Sequence, residues 1–501
     1  MRTIVSISIF AILLTVMAFP QADRSVEFES NVDLGSPKTA GFTFYTPATG
    51  DYRLRGSGEN MWSKRDEGHF AYREIAGDFI LTSRVSFVGK GKHEHRKAGL
   101  MARVSLDEDA AHASAVVHGD GLTSLQYRSS KGVNTRESKL KVNGADILRL
   151  ERKGNKFIVS AARFGEPFEN IETTDIRIGG KVIAGIFICS HDPDFVEEAE
   201  FSNLRLTMPA PDGLVPYRDY IGSRLEILDV ETGKRKVVHI TQDSMQAPNW
   251  TPDGRYLIYN RNGRLYRFEI ATGKVSEIDT GFATANNNDH VLSFDGKMLG
   301  ISHHTEIANG DSIVYTLPSN GGDPKRITSK GPSYFHGWSP DGKWLLYTGG
   351  RGENYDIYKI PAEGGKEIRL TTAEGLDDGS EYTPDGKYIY FCSTRSGLMQ
   401  IWRMKPDGSG QEQITNDDYN NWFPHISPDG KWIVMISYLK GDVAPEDHPF
   451  YKRVYLRLMP ILGGTPKVIA YVYGGQGTIN VPSWSPDSKK ISFVSNTIIE
   501  E

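Results

Sequence analysis

The chain has 501 residues, 58 basic against 63 acidic side chains, a formal net charge of −5, 11% aromatic residues and 52 glycines. That length allows two to four domains with sizeable cores, and the interspersed, slightly acidic charge excludes a nucleic-acid footprint or an anionic-membrane surface. Only Cys189 and Cys392 are present; the count excludes a cysteine-built zinc site, and each thiol lies in a hydrophobic run as a buried apolar filler.

Residues 1–22 read as a secretory signal peptide. Arg2 supplies the positive start, residues 4–19 are apolar and uncharged, and small residues at Ala18 or Ala22 offer cleavage sites. The run is short for a membrane span and no second one follows. The expected location is therefore secreted or periplasmic, with no integral span after cleavage.

From 24 to 208 short stretches alternate in polarity, for example Phe79-Ile80-Leu81-Thr82-Ser83-Arg84-Val85 and Val182-Ile183-Ala184-Gly185-Ile186-Phe187, separated by Gly, Asn and Asp turns. This predicts a two-sheet sandwich. The succession Gly77-Asp78-Phe79, Lys97-Ala98-Gly99-Leu100-Met101-Ala102-Arg103 and Glu200-Phe201-Ser202-Asn203-Leu204 resembles concanavalin-like jelly-roll domains. A hairpin tip at Lys92-His93-Glu94-His95-Arg96 reads as solvated charge, and His191-Asp192-Pro193-Asp194 as a turn. Residues 209–213, Pro-Ala-Pro-Asp-Gly, form a linker.

From 214 to 501 one turn recurs six times: Trp250-Thr251-Pro252-Asp253-Gly254, Ser293-Phe294-Asp295-Gly296, Trp338-Ser339-Pro340-Asp341-Gly342, Tyr382-Thr383-Pro384-Asp385-Gly386, Ser427-Pro428-Asp429-Gly430 and Trp484-Ser485-Pro486-Asp487-Ser488. Successive aspartates are 42, 46, 44, 44 and 58 positions apart by subtraction of their numbers. Such a period predicts a β-propeller, one four-stranded blade per repeat. The last repeat stops after two strands, and its missing pair precedes the first repeat at 225–233 and 236–240. Joining the ends in one blade hides both sheet edges and gives six blades. The repeat wording resembles TolB-like (WD40-like) propellers, a resemblance that implies the fold and leaves activity open, because binding proteins and polysaccharide lyases share it. The fold class expected is all-β, a jelly-roll sandwich followed by a six-bladed propeller.

The Pro-Asp-Gly turns join strands a and b and serve as scaffold. Loops on the opposite face carry the candidates for function. His290 and His336 occupy equivalent positions, with His303 after strand b of the second blade. Together they are candidate ligands for a divalent cation such as manganese, zinc or calcium. Tyr334, His425 and Glu381 are candidate acid–base groups. Asn288, Asp289, Arg351, Tyr355, Arg395, Tyr419 and Trp422 are candidate ligand-binding residues, the arginines as carboxylate clamps and the aromatics as stacking platforms. The same histidines also suit hydrogen bonds between neighbouring loops. Gathered histidines at the mouth look like those of metal-dependent oligogalacturonate lyases on related propellers.

Three functions follow as expectations. The first is binding of a polymeric ligand, a polysaccharide or oligosaccharide, at the propeller mouth. The second is a metal-assisted lyase or hydrolase of acidic oligosaccharides. The third is an interaction scaffold for an envelope protein. No nucleic-acid partner is expected.

Overall fold

The computed structural model describes residue 28 and residues 30–499 apart from 174, 175, 177 and 216. The signal-peptide reading of 1–22 lies outside the described residues. The chain is all-β, as its alternating polarity predicts. Among the described residues no helix is long and apolar enough to cross a membrane.

The first part holds two seven-stranded antiparallel sheets. One is centred on Gly68–Ala76, Lys181–Cys189, Lys97–Arg103 and His112–His118. The other is centred on Ile147–Lys153, Phe79–Phe87, Asp192–Thr207 and Asp51–Gly58. Alternate residues of both, including Leu54, Phe79, Leu100, Leu150, Ile186 and Phe201, meet in one shared core. A period of two along each strand sends one set of side chains inward. Cys189 and Cys392 are both buried free thiols.

The second part is a ring of six sheets. Blades 1 to 5 are four-stranded and begin at Gln246–Trp250, Asn286–Leu292, Ser333–Trp338, Asp377–Tyr382 and Tyr419–Ile426. Blade 6 is assembled from both ends. Lys490–Asn496 pairs antiparallel with Ser223–Asp229, which pairs with Arg235–Thr241, while Trp484 bridges to Ile491. The closure predicted from the truncated repeat is the closure observed.

The recurring turn explains its own sequence. Ser339 Oγ donates to Asp341 Oδ1 at 2.6 Å, that carboxylate accepts the Lys343 amide at 3.1 Å, and Ser339 Oγ accepts the Trp344 amide at 2.9 Å. Gly342 sits at φ 69°, where a Cβ is disfavoured. In the sixth copy Ser488 takes that left-handed position at φ 59°. Trp338 and Trp484 are buried, Trp344 is half-buried and Trp432 is exposed at the first position of its strand.

The two parts meet along a polar seam. Arg205 at the end of the second sheet donates to Glu226 of blade 6 from Nε at 3.2 Å and from Nη2 at 2.9 Å. Ser495 Oγ donates to the same carboxylate at 2.6 Å. Arg453 Nε donates to Glu151 at 2.9 Å, and the Phe168 amide donates to Tyr455 Oη at 3.1 Å.

Candidate functional site

All five complete blades share one departure from regular pairing: the innermost strand carries a bulge. Register shifts fall between Gln246 and Asn249, Asn286 and His290, Phe335 and Gly337, Asp378 and Glu381, and Trp422 and His425. A bulge leaves a residue without a cross-strand partner and re-aims its side chain. In blades 2, 3 and 5 the bulged residues Asn287, Asn288, Asp289, His336 and Phe423 line a cavity of about 1360 Å³, and in blades 1 and 4 the residues flanking the bulge, Gln246 and Asp378, do so.

The bulges also decide which sequence candidates converge. His336 is the extra residue in its bulge and lines the cavity. His290 has the same distance to the turn, but it is a paired ladder residue opposite Ile301. Its Nε2 turns away to the Ile258 carbonyl at 3.3 Å. His303 accepts the Ala285 amide on Nδ1 at 3.3 Å and packs against Phe282 and Tyr315, while His304, one residue on, faces the cavity. The expected metal set His290, His303 and His336 therefore does not converge. Among the described residues no group of three His, Cys, Asp or Glu is placed to hold a metal ion.

His425 and Glu381 meet each other, Nδ1 to Oε2 at 2.8 Å, inside the blade 4–blade 5 packing. His425 Nε2 bonds to the Ile479 carbonyl, and the Ile426 amide donates to Glu381 at 3.0 Å. Both are ladder residues outside the cavity wall, which assigns them to inter-blade anchoring. The two candidate clamps are also committed elsewhere. Arg351 is fixed to Glu367 at 3.1 Å and to the Pro332 carbonyl at 2.8 Å, and Arg395 forks onto Asp377 at 2.9 and 2.7 Å. Tyr419 packs under Arg457, and Trp422 is fully buried against His448. Asn288, Asp289, Tyr334 and Tyr355 do line the cavity.

At its floor stands a charged cluster. Asp378 Oδ1 lies 2.8 Å from His336 Nε2, off the ring's N–H axis, so the contact is more electrostatic than a well-aligned hydrogen bond. The same oxygen accepts Thr348 Oγ1 at 2.6 Å and the Gly379 amide at 2.8 Å. Burial opposes ionisation of Asp378, but the His336 charge, with His448 and the Thr348 hydroxyl, holds its carboxyl at about 2. Burial equally disfavours the His336 imidazolium, yet Asp378 and, behind it, Asp289 leave it raised. Asp289 is pushed up to about 6 by burial and by the Asp378 charge, against the pull of His336. His448 is lowered by burial. The floor thus holds one ion pair and one carboxyl that titrates near neutrality.

Asp289 yields a pH-dependent expectation. A carboxyl whose folded value exceeds its unfolded value favours folding at low pH, and that advantage is lost as pH rises through about 6. Asp289→Asn should therefore stabilise the protein at pH 8 by about 2 kcal/mol. The gain should vanish by pH 4, as read from urea unfolding at the two pH values.

The rim is built by segments outside the repeats. Glu446, His448 and Phe450, from residues 440–451 between the second and third strands of blade 5, line the opening. Tyr217 and Tyr220, just after the linker, come to meet them, their rings 5.3 and 5.7 Å from Phe450. Tyr451 Oη accepts the Ile221 amide at 3.1 Å. Both Tyr217, at φ 63°, and Tyr451, at φ 61°, hold a left-handed backbone that is costly for a bulky residue. Among the described residues five carboxylates line the cavity (Asp289, Glu353, Glu374, Asp378 and Glu446) against the single guanidinium of Arg369.

A second histidine group sits apart, in the two-sheet part. His93 and His191 have ring centroids 4.2 Å apart, with His95 5.7 Å from His191 and 6.0 Å from His118. The fold therefore brings the two stretches read separately as hairpin tip and turn into one cluster.

Comparison with known proteins agrees with this architecture. The TolB β-propeller domain model matches residues 335–448. An uncharacterised protein of Agrobacterium fabrum is 47% identical over 273 residues, 54% of this chain and 92% of its own length. The chain belongs to the TolB-like β-propeller family. A solved structure from Agrobacterium tumefaciens, described as a candidate TolB, is 46% identical over 56% of this chain and the whole of its own, with a TM-score of 0.53. An oligogalacturonate lyase of Vibrio parahaemolyticus aligns over 55% of this chain and 83% of its own at 13% identity and a TM-score of 0.36, too remote to bear on the chemistry of this TolB-like site.

Proposed function

We propose that this TolB-like protein is a secreted or periplasmic binding protein whose propeller mouth holds a neutral or amino-bearing oligosaccharide. The two-sheet part, in this reading, is a concanavalin-like jelly roll that assists it. The supporting observation is the composition of the cavity wall. The amides of Asn262, Asn287, Asn288 and Gln476 share the wall with Tyr217, Tyr334 and Tyr355, a mixture of two-way hydrogen-bonding groups and flat amphipathic rings suited to sugar hydroxyls and ring faces. The surplus of carboxylates disfavours polyuronates and favours uncharged or cationic sugars. The arginines expected to clamp an acidic substrate point elsewhere.

A glycan array followed by calorimetry tests this. Neutral or amino-sugar oligomers should bind, and Asn288→Ala and Tyr334→Ala should each weaken the best of them about tenfold, the loss of one hydrogen bond or one stacking ring. An array with no sugar bound, alongside capture of one envelope protein lost in Tyr217→Ala, would replace this reading with the scaffold one. That alternative draws on the exposed Tyr217 ring at the rim, which is 61% accessible.

A further inference from the structure

The charges on the floor of the mouth do not match. His336 and Asp378 answer each other at 2.8 Å, and Asp378 also accepts the Thr348 hydroxyl and the Gly379 amide. Asp289 has only a neutral partner: its Oδ2 accepts Asn287 Nδ2 at 2.7 Å, and among the described residues it forms no ion pair. It belongs to the bulge of blade 2, lines the cavity and is 6% exposed. The groups that face it are Asn287 on its own strand, His304 on the next, Tyr334 and His336 of blade 3, Asp378 of blade 4 and Tyr217 of the rim. No lysine or arginine is among them. The same wall holds unanswered acceptors. Asn286, three residues earlier on that strand, donates Nδ2 to the Gly263 carbonyl at 2.9 Å and to the Ala283 carbonyl at 2.7 Å, which fixes the orientation of its amide. Its Oδ1 is buried without a hydrogen-bond partner, as is Asn260 Oδ1. Both asparagines line the cavity and are more than nine-tenths buried.

A buried carboxylate without a counter-charge is costly, and so is a buried carbonyl oxygen without a donor. Water or a sugar hydroxyl supplies donors but no charge. A primary ammonium supplies both, one positive charge and three donors, and brings no acceptor of its own. The rings of Tyr334 and Tyr355 on the same wall offer faces for the sugar ring that carries it. Taking the mouth as the sugar site proposed above, we propose that Asp289 seats the ammonium group of an amino sugar, with the Asn286 oxygen as a further acceptor, so that the mouth selects amine-bearing units over neutral or N-acetylated ones. The rise of the Asp289 carboxyl to about 6 has the same origin, because a proton takes the place the ammonium would fill.

Calorimetry of the whole protein at pH 6.5 tests this with a glucosamine tetramer and its fully N-acetylated counterpart. The parent should bind the amine form about tenfold more tightly, the increment of one charge-assisted hydrogen bond, and Asp289→Asn should bring the two affinities within about twofold. A parent without that preference, or a preference that persists in Asp289→Asn, would overturn the ammonium seat and leave the sugar reading standing. Binding of neither tetramer would also overturn it, even with a lysine peptide captured at Asp289, and the glycan array decides the sugar reading separately. Should the variant fail to fold, a crystal structure of the parent with the glucosamine tetramer decides. An amine nitrogen within hydrogen-bonding distance of Asp289 supports the seat, and a bound tetramer with its nitrogens elsewhere refutes it.

Discussion

Asp378→Asn is expected to cost about 3 kcal/mol of stability at pH 6, because it strips the counter-charge from a buried imidazolium and leaves His336 facing a neutral amide. The pH dependence carries the diagnosis. His336 is raised when folded, so its contribution is complete below the ordinary imidazole range and is lost as pH rises through the folded value. Asp378 is held at about 2, so its contribution is present above the ordinary carboxyl value and is lost as pH falls towards 2. The pair therefore stabilises the fold between roughly pH 4 and the upper end of the histidine range. The variant's deficit should shrink on the alkaline side. An NMR titration should show the His336 imidazole moving downward in the variant. An unchanged His336 titration would mean that Asp289 alone sets its charge.

Glu226→Gln should have a larger effect, about 4 kcal/mol. Glu226 is fully buried, accepts Arg205 and Ser495, and faces Arg235 at 3.6 Å. Burial pushes its carboxyl up, but the two guanidiniums and the hydroxyl outweigh that and hold it at about 2. A depressed carboxyl gives its stabilisation above its unfolded value and loses it as pH falls towards the folded one. The parent should weaken steeply below pH 4 while the variant, already lacking that charge, weakens less. Calorimetric unfolding across pH 2–7 reads both. Loss of Glu226 should also loosen the seam, visible as faster amide exchange in Asp192–Thr207 and Ser223–Asp229 together.

Much of the architecture was legible in the chain because it is written in local chemistry. A Ser-Pro-Asp-Gly turn satisfies its own hydrogen bonds, so six copies announce six blades, and a repeat lacking two strands announces how the ring closes. The site was less legible for two physical reasons. Alignment on the turn treats His290 and His336 as equivalent, yet a bulge placed a few residues differently turns one into a blade contact and the other into a cavity wall. Strand alternation makes His303 and His304 opposite in direction, and only the second faces inward. Asp378 lies in the same strand as the candidate Glu381, but its ionisation depends on His336 from the preceding blade. The rim residues Tyr217 and Phe450 lie far apart in sequence and belong to no repeat, so nothing periodic marks them.

The shared sixth blade has a consequence for biosynthesis. Strand Ser223–Asp229 is made before the five complete blades, and its partner Lys490–Asn496 only after them. Until then the nascent ring exposes an unpaired edge open to wrong partners. Closure of the ring therefore waits for strand Lys490–Asn496, and a chain stopped before residue 490 should be an aggregation-prone product, not a smaller working propeller.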